Sequence, residues 1–218
     1  MIVYANSCSY GVVTNGKTYS EIVADNLSAT LINHGSPGCC NERIFRVSTR
    51  DILNLVQNTD PSEILVLIGL TNTFRGEVWS DTLALFDDGY FKSFTATNSS
   101  KFDSYIKQFH IAYNQEAAII NLLQQLVTFT CFLKSMGIKY RIWANTPHLQ
   151  PIDWNLSFVK PFYEFVMADK NILSLFEFNF VQHAESLGYK TCDKPFNDGG
   201  HPDSAAHEIM ANWLLNQL

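Results

Sequence analysis

The sequence predicts a single α/β domain built on a parallel sheet, and three observations carry that expectation. Apolar, strand-like runs alternate with segments of helical spacing along the chain. The strongest strand, Ile64-Leu65-Val66-Leu67-Ile68, is apolar without a break, the pattern of a strand covered on both faces. The length of 218 residues, with 46% apolar and 17% charged, suffices for one self-standing core and excludes a disordered or fibrous chain.

The elements follow in order. Residues 2–5 form a short apolar run closed by Asn6-Ser7. Tyr19, Ile22, Val23 and Leu27 recur at helical spacing. Residues 29–33 read as a second strand, followed by the turn-rich loop His34-Gly35-Ser36-Pro37-Gly38. Asn41 reads as the N-cap of a helix that carries Ile44, Val47, Ile52, Leu53 and Val56 and ends near Asn58. Asp60-Pro61 breaks the chain before the third strand. Residues 115–136 predict a long helix stopped by Gly137, and residues 139–144 a fourth strand. Residues 176–187 predict a helix stopped by Gly188, residues 189–192 a short last strand, and residues 204–218 a closing helix capped by Asp203 or Ser204.

Residues 74–114 stand outside this alternation and are rich in aromatics, among them Phe74, Trp79, Tyr90 and Phe91. The turn signal Asp87-Asp88-Gly89, between residues 83–86 and Tyr90-Phe91, predicts a hairpin, with a helix over 102–113 after it. This insertion leaves the sheet at its mouth, which makes it a candidate cap or pocket wall within one domain spanning 1–218, or an oligomer contact.

Composition narrows the function. Fifteen basic against 21 acidic residues give a net charge of −6, which argues against a nucleic-acid partner. No run of 18 apolar residues predicts a membrane span, so no membrane partner is expected. Met1-Ile2-Val3-Tyr4-Ala5 lacks a charged leader and reads as a core strand, consistent with a cytoplasmic location. The five cysteines, 8, 39, 40, 131 and 192, have no regular spacing and read as small residues in or near the core of a protein from a reducing compartment. No CxxC pair or HExxH motif points to a metal, and no cofactor is expected.

Active sites of open parallel sheets lie outside the carboxyl ends of the strands. The polar residues there are Asn6 to Ser9 after strand one, His34 to Gly38 after strand two, Thr71 to Thr73 after strand three, and Asn145, Thr146 and His148 after strand four. Asn197-Asp198-Gly199-Gly200-His201-Pro202 precedes the last helix. This set contains a hydrolytic constellation. A serine hydroxyl needs an adjacent base, which His201 can be, with Asp198 three residues upstream to hold the imidazole. The backbone amides of Ser7 and Gly38 and the side-chain amide of Asn72 can hold an oxyanion.

Four segments carry a resemblance. Asn6-Ser7-Cys8-Ser9-Tyr10-Gly11 resembles the serine block of the SGNH (GDSL-type) hydrolases, and Gly35-Ser36-Pro37-Gly38-Cys39-Cys40-Asn41-Glu42-Arg43-Ile44 their glycine block. Ile68-Gly69-Leu70-Thr71-Asn72 stands where their asparagine block lies, and Asp198-Gly199-Gly200-His201-Pro202 is similar to their Asp-x-x-His block. The resemblance spans nearly the whole chain, in the family's order. It implies a flavodoxin-like three-layer sandwich with five parallel strands in the order 2-1-3-4-5. It implies a metal-free ester hydrolase with Ser7 as nucleophile, His201 as base, Asp198 as its partner, and Ser7, Gly38 and Asn72 as oxyanion donors. The short form of the chain is similar to phage and bacterial members.

Two departures stand out. Asn6 replaces the family's Asp before the serine, a residue that supports the serine turn and whose hydrogen bond Asn can still make without a charge. One extra residue separates Gly69 from Asn72 and Thr73 replaces the motif's Asp, and if Asn72 points elsewhere Thr71 is the nearest substitute donor. Ser9 and Cys8 are weaker rivals to Ser7, His207 reads as structural, and His34 follows strand two. Arg75, His148 and Trp79 are candidate substrate contacts. The reading is a serine esterase for an O-acyl ester, with a small-molecule or carbohydrate O-acetyl ester preferred to a long lipid. The competing reading is a binding or structural module that keeps the fold without turnover. A flavin or nucleotide binder lacks a phosphate-cradling loop directly after strand one, since Asn15-Gly16-Lys17-Thr18 lies too far past it.

Overall fold

The computed structural model describes residues 1–12, 16–79, 91–94, 108, 112–145, 153–173, 175–176, 179–188 and 201–218. Its centre is a five-stranded, all-parallel sheet. The strands are β1 (Ile2–Ser7), β2 (Thr30–Asn33), β3 (Ile64–Leu70), β6 (Lys139–Ala144) and β7 (Ile172–Leu173), in the spatial order β2-β1-β3-β6-β7. β4 (Gly76–Trp79) and β5 (Phe91–Phe94) form a separate antiparallel pair, and β8 (His201–Pro202) neighbours the 3-10 turn Ser9–Gly11. The parallel α/β expectation holds. The fifth strand differs: it is Ile172–Leu173, whereas the expected strand at 189–192 lies outside the described residues. Two residues are too few to show a period in sequence.

Side-chain alternation splits the core into two layers. On one face Tyr4, Ile64, Val66, Ile68, Tyr140 and Ile142 pack against α2 (Asn41–Leu55), α3 (Gln115–Ser135) and α4 (Lys160–Met167). On the other face Val3, Ala5, Leu65, Leu67 and Trp143 pack against α1 (Tyr19–Asn26), α5 (Phe180–Ser186) and α6 (Ser204–Leu215). The result is a three-layer α/β/α sandwich. α3 is long and apolar enough to cross a membrane by length and composition. Here Ile119, Leu122, Leu123, Leu126, Phe129 and Leu133 put one stripe of it into the core.

Local chemistry sets the ends of the helices. Thr18 and Glu21 form a reciprocal capping box on α1, Asn114 caps α3, and Asp203 caps α6 through the Ala206 amide at 3.0 Å. Gly137 and Gly188 take the left-handed conformation just past α3 and α5. α4 has Pro161 in its first turn, where a missing N–H costs nothing.

The insertion is rooted on α2. Arg46 grips Glu77 of β4 through two hydrogen bonds, at 2.5 and 3.1 Å. The hairpin arms pair Gly76 with Phe94 and Trp79 with Phe91, so the first arm lies earlier than the expected residues 83–86. The turn at 87–89 and most of the expected helix at 102–113 lie outside the described residues.

His207 is a structural tie between α6 and α1. It is fully buried, stacks on Tyr19 with ring centroids 5.8 Å apart, and accepts the Tyr19 amide at Nδ1 over 3.1 Å. Its proton therefore sits on Nε2, and the ring is neutral. Burial lowers its pKa from 6.5 to about 4, against the pull of Asp203 and Glu21. The unfolded chain thus binds a proton here that the folded one rejects. Stability should be full above pH 6.5 and fall by roughly 3 kcal/mol as the pH drops towards 4. Thermal melting between pH 7 and 4.5 checks this beside His207→Asn, which keeps an acceptor for the Tyr19 amide but cannot titrate. An unchanged pH slope in the variant would assign the acid loss to other groups.

Candidate functional site

The site is organised around the carboxyl end of β1, where Ser7 pairs in register with Gly69 of β3. Ser7 lies on the face of β1 that carries Val3 and Ala5, and Asn6 on the opposite face with Tyr4. The Ser7 side chain is held in a niche walled by glycine. A Cβ at Gly11 would lie 2.4 Å from Ser7 Oγ and 3.6 Å from the Tyr19 hydroxyl. A Cβ at Gly69 would lie 3.0 Å from Ser7 Cβ and 2.6 Å from Asn145 Nδ2. Neither position has room for a side chain. Ser7 is fully buried, and its hydroxyl donates to the Cys8 carbonyl at 3.0 Å. Tyr19, also buried, has no hydrogen-bond partner for its hydroxyl, and burial raises its pKa.

The loop after β2 is fastened to the same serine. The Ser7 carbonyl accepts the Ser36 amide at 2.9 Å and the Cys39 thiol at 3.4 Å. Gly38 takes a φ of +75°, a conformation that glycine adopts without steric cost. Arg75 Nη1 donates to the Cys39 carbonyl at 3.2 Å, which ties the residues after β3 to this loop. Burial, with Cys8 close by, pushes the Cys39 thiol up to about 12, so it stays protonated at neutral pH.

The third segment is held by Asn41. Its Oδ1 accepts the Thr71 amide and its Nδ2 donates to the Thr71 carbonyl, both at 2.9 Å. Asn41 is thus the first residue of α2 and not its N-cap: that position belongs to Cys40, which makes no side-chain cap bond. The local pattern of a cap and the long-range clamp use the same side-chain amide, and the clamp takes it. Asn145, buried after β6, accepts Trp143 Nε1 at 2.7 Å and turns its Nδ2 towards Cys8 Sγ at 3.9 Å.

The expected site residues fall as follows. Ser7, Gly38 and the segment with Thr71 and Asn72 all lie at the carboxyl ends of neighbouring strands. Asn72 Oδ1 is buried with no partner. The backbone of His201 returns beside the Ser9–Gly11 turn, while its side chain, Asp198, His148 and the Trp79 side chain lie outside the described residues. His34 is engaged elsewhere, stacked on Tyr4 and 3.3 Å from the Asp51 carboxylate. Asn6 donates to the Ile44 carbonyl at 3.2 Å and to Ser48 Oγ at 3.1 Å, so it ties β1 to α2 and does not brace the serine turn. Gly11 stands in the serine block, Asn145 in the polar set after strand four, and Tyr19 and Asn41 in helical signals, but the parts these four play at the site rest on contacts that exist only once the chain is folded. Among the described residues no cluster of His, Cys, Asp and Glu could hold a metal ion.

A cavity of about 230 Å³ opens beside Arg75. It is lined by Asn41, Thr73, Arg75, Tyr113, Asn121 and Gln125 among others, and the hydroxyls of Thr73 and Tyr113 in its wall bond each other at 2.8 Å. Residues 112–114, the end of the insertion, form part of its wall.

The same architecture recurs in solved structures. A protein assigned to the lipolytic G-D-S-L family from Desulfitobacterium hafniense aligns over 100% of this chain and 99% of its own, with a TM-score of 0.54 at 12% identity. TesA aligns over 100% and 98%, with a TM-score of 0.53 at 12% identity. The chain has the SGNH-hydrolase fold. An acetyl xylan esterase from the rumen bacterium Butyrivibrio proteoclasticus shares that fold over 99% of this chain and 62% of its own, with a TM-score of 0.50 at 12% identity. No family model and no curated protein matches the sequence. Within the SGNH fold, Ser7 stands at the end of the first strand, with the Gly38 loop and the Thr71 segment on either side of it.

Proposed function

We propose that the chain is a serine esterase that hydrolyses an O-acyl ester through a seryl intermediate. The observation that carries this reading is the Ser7 niche: a hydroxyl at the carboxyl end of β1, an interior strand of the sheet, walled by Gly11 and Gly69, with the left-handed Gly38 loop bonded to its own carbonyl. In this reading Ser7 Oγ attacks the acyl carbon while His201 takes its proton, and Asp198 stabilises the imidazolium. The oxyanion is held by donors from the three strand ends. The alcohol leaves with the proton from His201, and water then releases the acyl group by the same steps in reverse.

The cavity supports a polyhydroxylated alcohol as leaving group. Beside Glu42, Arg75 and the apolar Leu122, its lining offers the side-chain amides of Asn121 and Gln125, two hydroxyls and the Tyr113 ring, groups that can meet sugar hydroxyls and a sugar face. The insertion supplies Arg75 at one end and Tyr113 at the other, consistent with a pocket wall. The preferred substrate class is therefore a small O-acetyl ester, carbohydrate-linked.

A second reading, a module that keeps the fold without turnover, draws on the fully buried Ser7 and its bond to Cys8. One experiment separates the two. A serine-reactive phosphonate probe should label the wild-type protein and leave Ser7→Ala unlabelled, and acetyl-ester hydrolysis should fall at least a thousandfold in Ser7→Ala. A wild-type protein that is neither labelled nor active favours the second reading.

A further inference from the structure

We infer that Thr71, not Asn72, supplies the side-chain donor of the oxyanion hole; this rests on the serine-esterase reading above. A single side-chain amide can meet both the N–H and the C=O of one residue only when that residue is extended, because only then do the two groups point to the same side. Asn41 does this to Thr71 at 2.9 Å twice, so the pleat of β3 continues past Leu70. The neighbouring hydrogen bond agrees: the Leu70 carbonyl accepts the Asn145 amide on the β6 side, and Thr71 turns its backbone groups to the other edge, beyond the end of β1.

A continuing pleat fixes the faces. Leu70, Ile68 and Val66 belong to the layer of α2 and α3, and Gly69 faces Ser7. Thr71 therefore stands on the Ser7 face, two residues or about 6.6 Å further along the strand from Gly69. Asn72 steps to the opposite face. Beyond Gly69 the next side chain on the Ser7 face is Thr71, the one placed to reach an acyl oxygen bound over Ser7.

Thr71 and Asn72 each leave one buried side-chain atom unpaired, but that of Asn72 is Oδ1, an acceptor, whereas that of Thr71 is a hydroxyl able to donate. Thr71 is 2% exposed, and its hydroxyl is buried with no partner, although both of its main-chain groups are satisfied. A buried hydroxyl normally finds a partner in the folded chain. One left unpaired on the face of a reactive serine is a donor held for a ligand atom, here the oxygen that gains charge as the tetrahedral intermediate forms. The extra residue that displaces the asparagine from its usual spacing thus leaves the role with a hydroxyl in register.

Thr71→Val removes the hydroxyl and keeps the shape. The expected result is a 10²- to 10³-fold fall in kcat for acetyl-ester hydrolysis with KM little changed. The melting temperature should be unchanged or higher, since the lost hydroxyl makes no bond in the folded protein. Thr71→Ser should recover most of the loss, and Asn72→Ala should stay within about threefold of the parent. Turnover retained in Thr71→Val, or the large loss appearing in Asn72→Ala, would overturn the assignment while leaving the esterase reading intact, provided Ser7→Ala is inactive. A wild-type protein that neither hydrolyses esters nor labels at Ser7 overturns the esterase reading and this assignment with it.

Discussion

Gly11→Ala should lower ester turnover at least a hundredfold without unfolding the protein. The added Cβ would lie 2.4 Å from Ser7 Oγ and 3.3 Å from Ser7 Cβ, well inside contact distance. The turn cannot relax cheaply, because the Gly11 amide is bonded to the Cys8 carbonyl at 2.8 Å and Asn33 Nδ2 holds the Gly11 carbonyl at 3.2 Å. Nor can the Ser7 backbone retreat, with its carbonyl fixed by Ser36 and Cys39. The hydroxyl is the part that yields, by rotating to another rotamer. A nucleophile displaced by about 1 Å costs about a hundredfold in rate. Gly11 has no left-handed backbone, so alanine adds no backbone strain there. Thermal melting beside kcat and the rate of phosphonate labelling checks the outcome. A variant that labels and turns over within threefold of the parent would show that the Gly11 wall does not set the position of the serine.

How much of this was legible beforehand follows from where each signal resides. β3 announces itself because a strand buried on both faces must be apolar throughout, and the structure extends it by two residues to Leu70. β6, with Lys139 exposed and Arg141 part-exposed, is legible from Tyr140, Ile142, Trp143 and Ala144 and is reproduced as Lys139–Ala144. β7 is invisible for the opposite reason, since Ile172–Leu173 has no period to detect. α4 is hidden behind Pro161, which reads as a breaker unless its place in the first turn is known. The hairpin was legible as a hairpin, but its first arm is fixed by the grip of Arg46 on Glu77, 31 residues apart, which no turn signal reports. The site divides in the same way. Ser7 and Gly38 stand out because their chemistry depends on residue type at a strand end. Asn41 presents the same side chain to a reader whether it caps its own helix or clamps a residue thirty positions on. Long-range hydrogen bonds decide between such readings, and they exist only in the folded chain.

The Asn6 position gives the second large expected effect, and it runs against the SGNH-type motif. Asn6→Asp restores the family's residue before the serine, yet it should destabilise this protein by about 3 to 5 kcal/mol near neutral pH. Asn6 is fully buried, and its Nδ2 is a donor to the Ile44 carbonyl and to Ser48 Oγ. Its Oδ1 has no partner. A carboxylate in the same place turns an oxygen onto the Ile44 carbonyl, acceptor against acceptor, and only Ser48 can rotate to donate. The Asp51 carboxylate, which accepts the Tyr4 hydroxyl at 3.2 Å, adds like charge on the same side of the sheet. Both effects favour the protonated acid, whose O–H could donate to Ile44, so the folded pKa of the new group should rise above the unfolded value of about 3.9. The sign of the linkage follows: the penalty is small at and below about pH 4 and grows as the pH rises through the folded pKa. Unfolding free energies of the variant and the parent, compared at pH 4.5 and 7.5, isolate this term, because His207 titrates equally in both and cancels in the difference. A constant difference across that range would mean that the carboxylate finds a partner, and the division of roles between Asn6 and Ser48 would have to be redrawn.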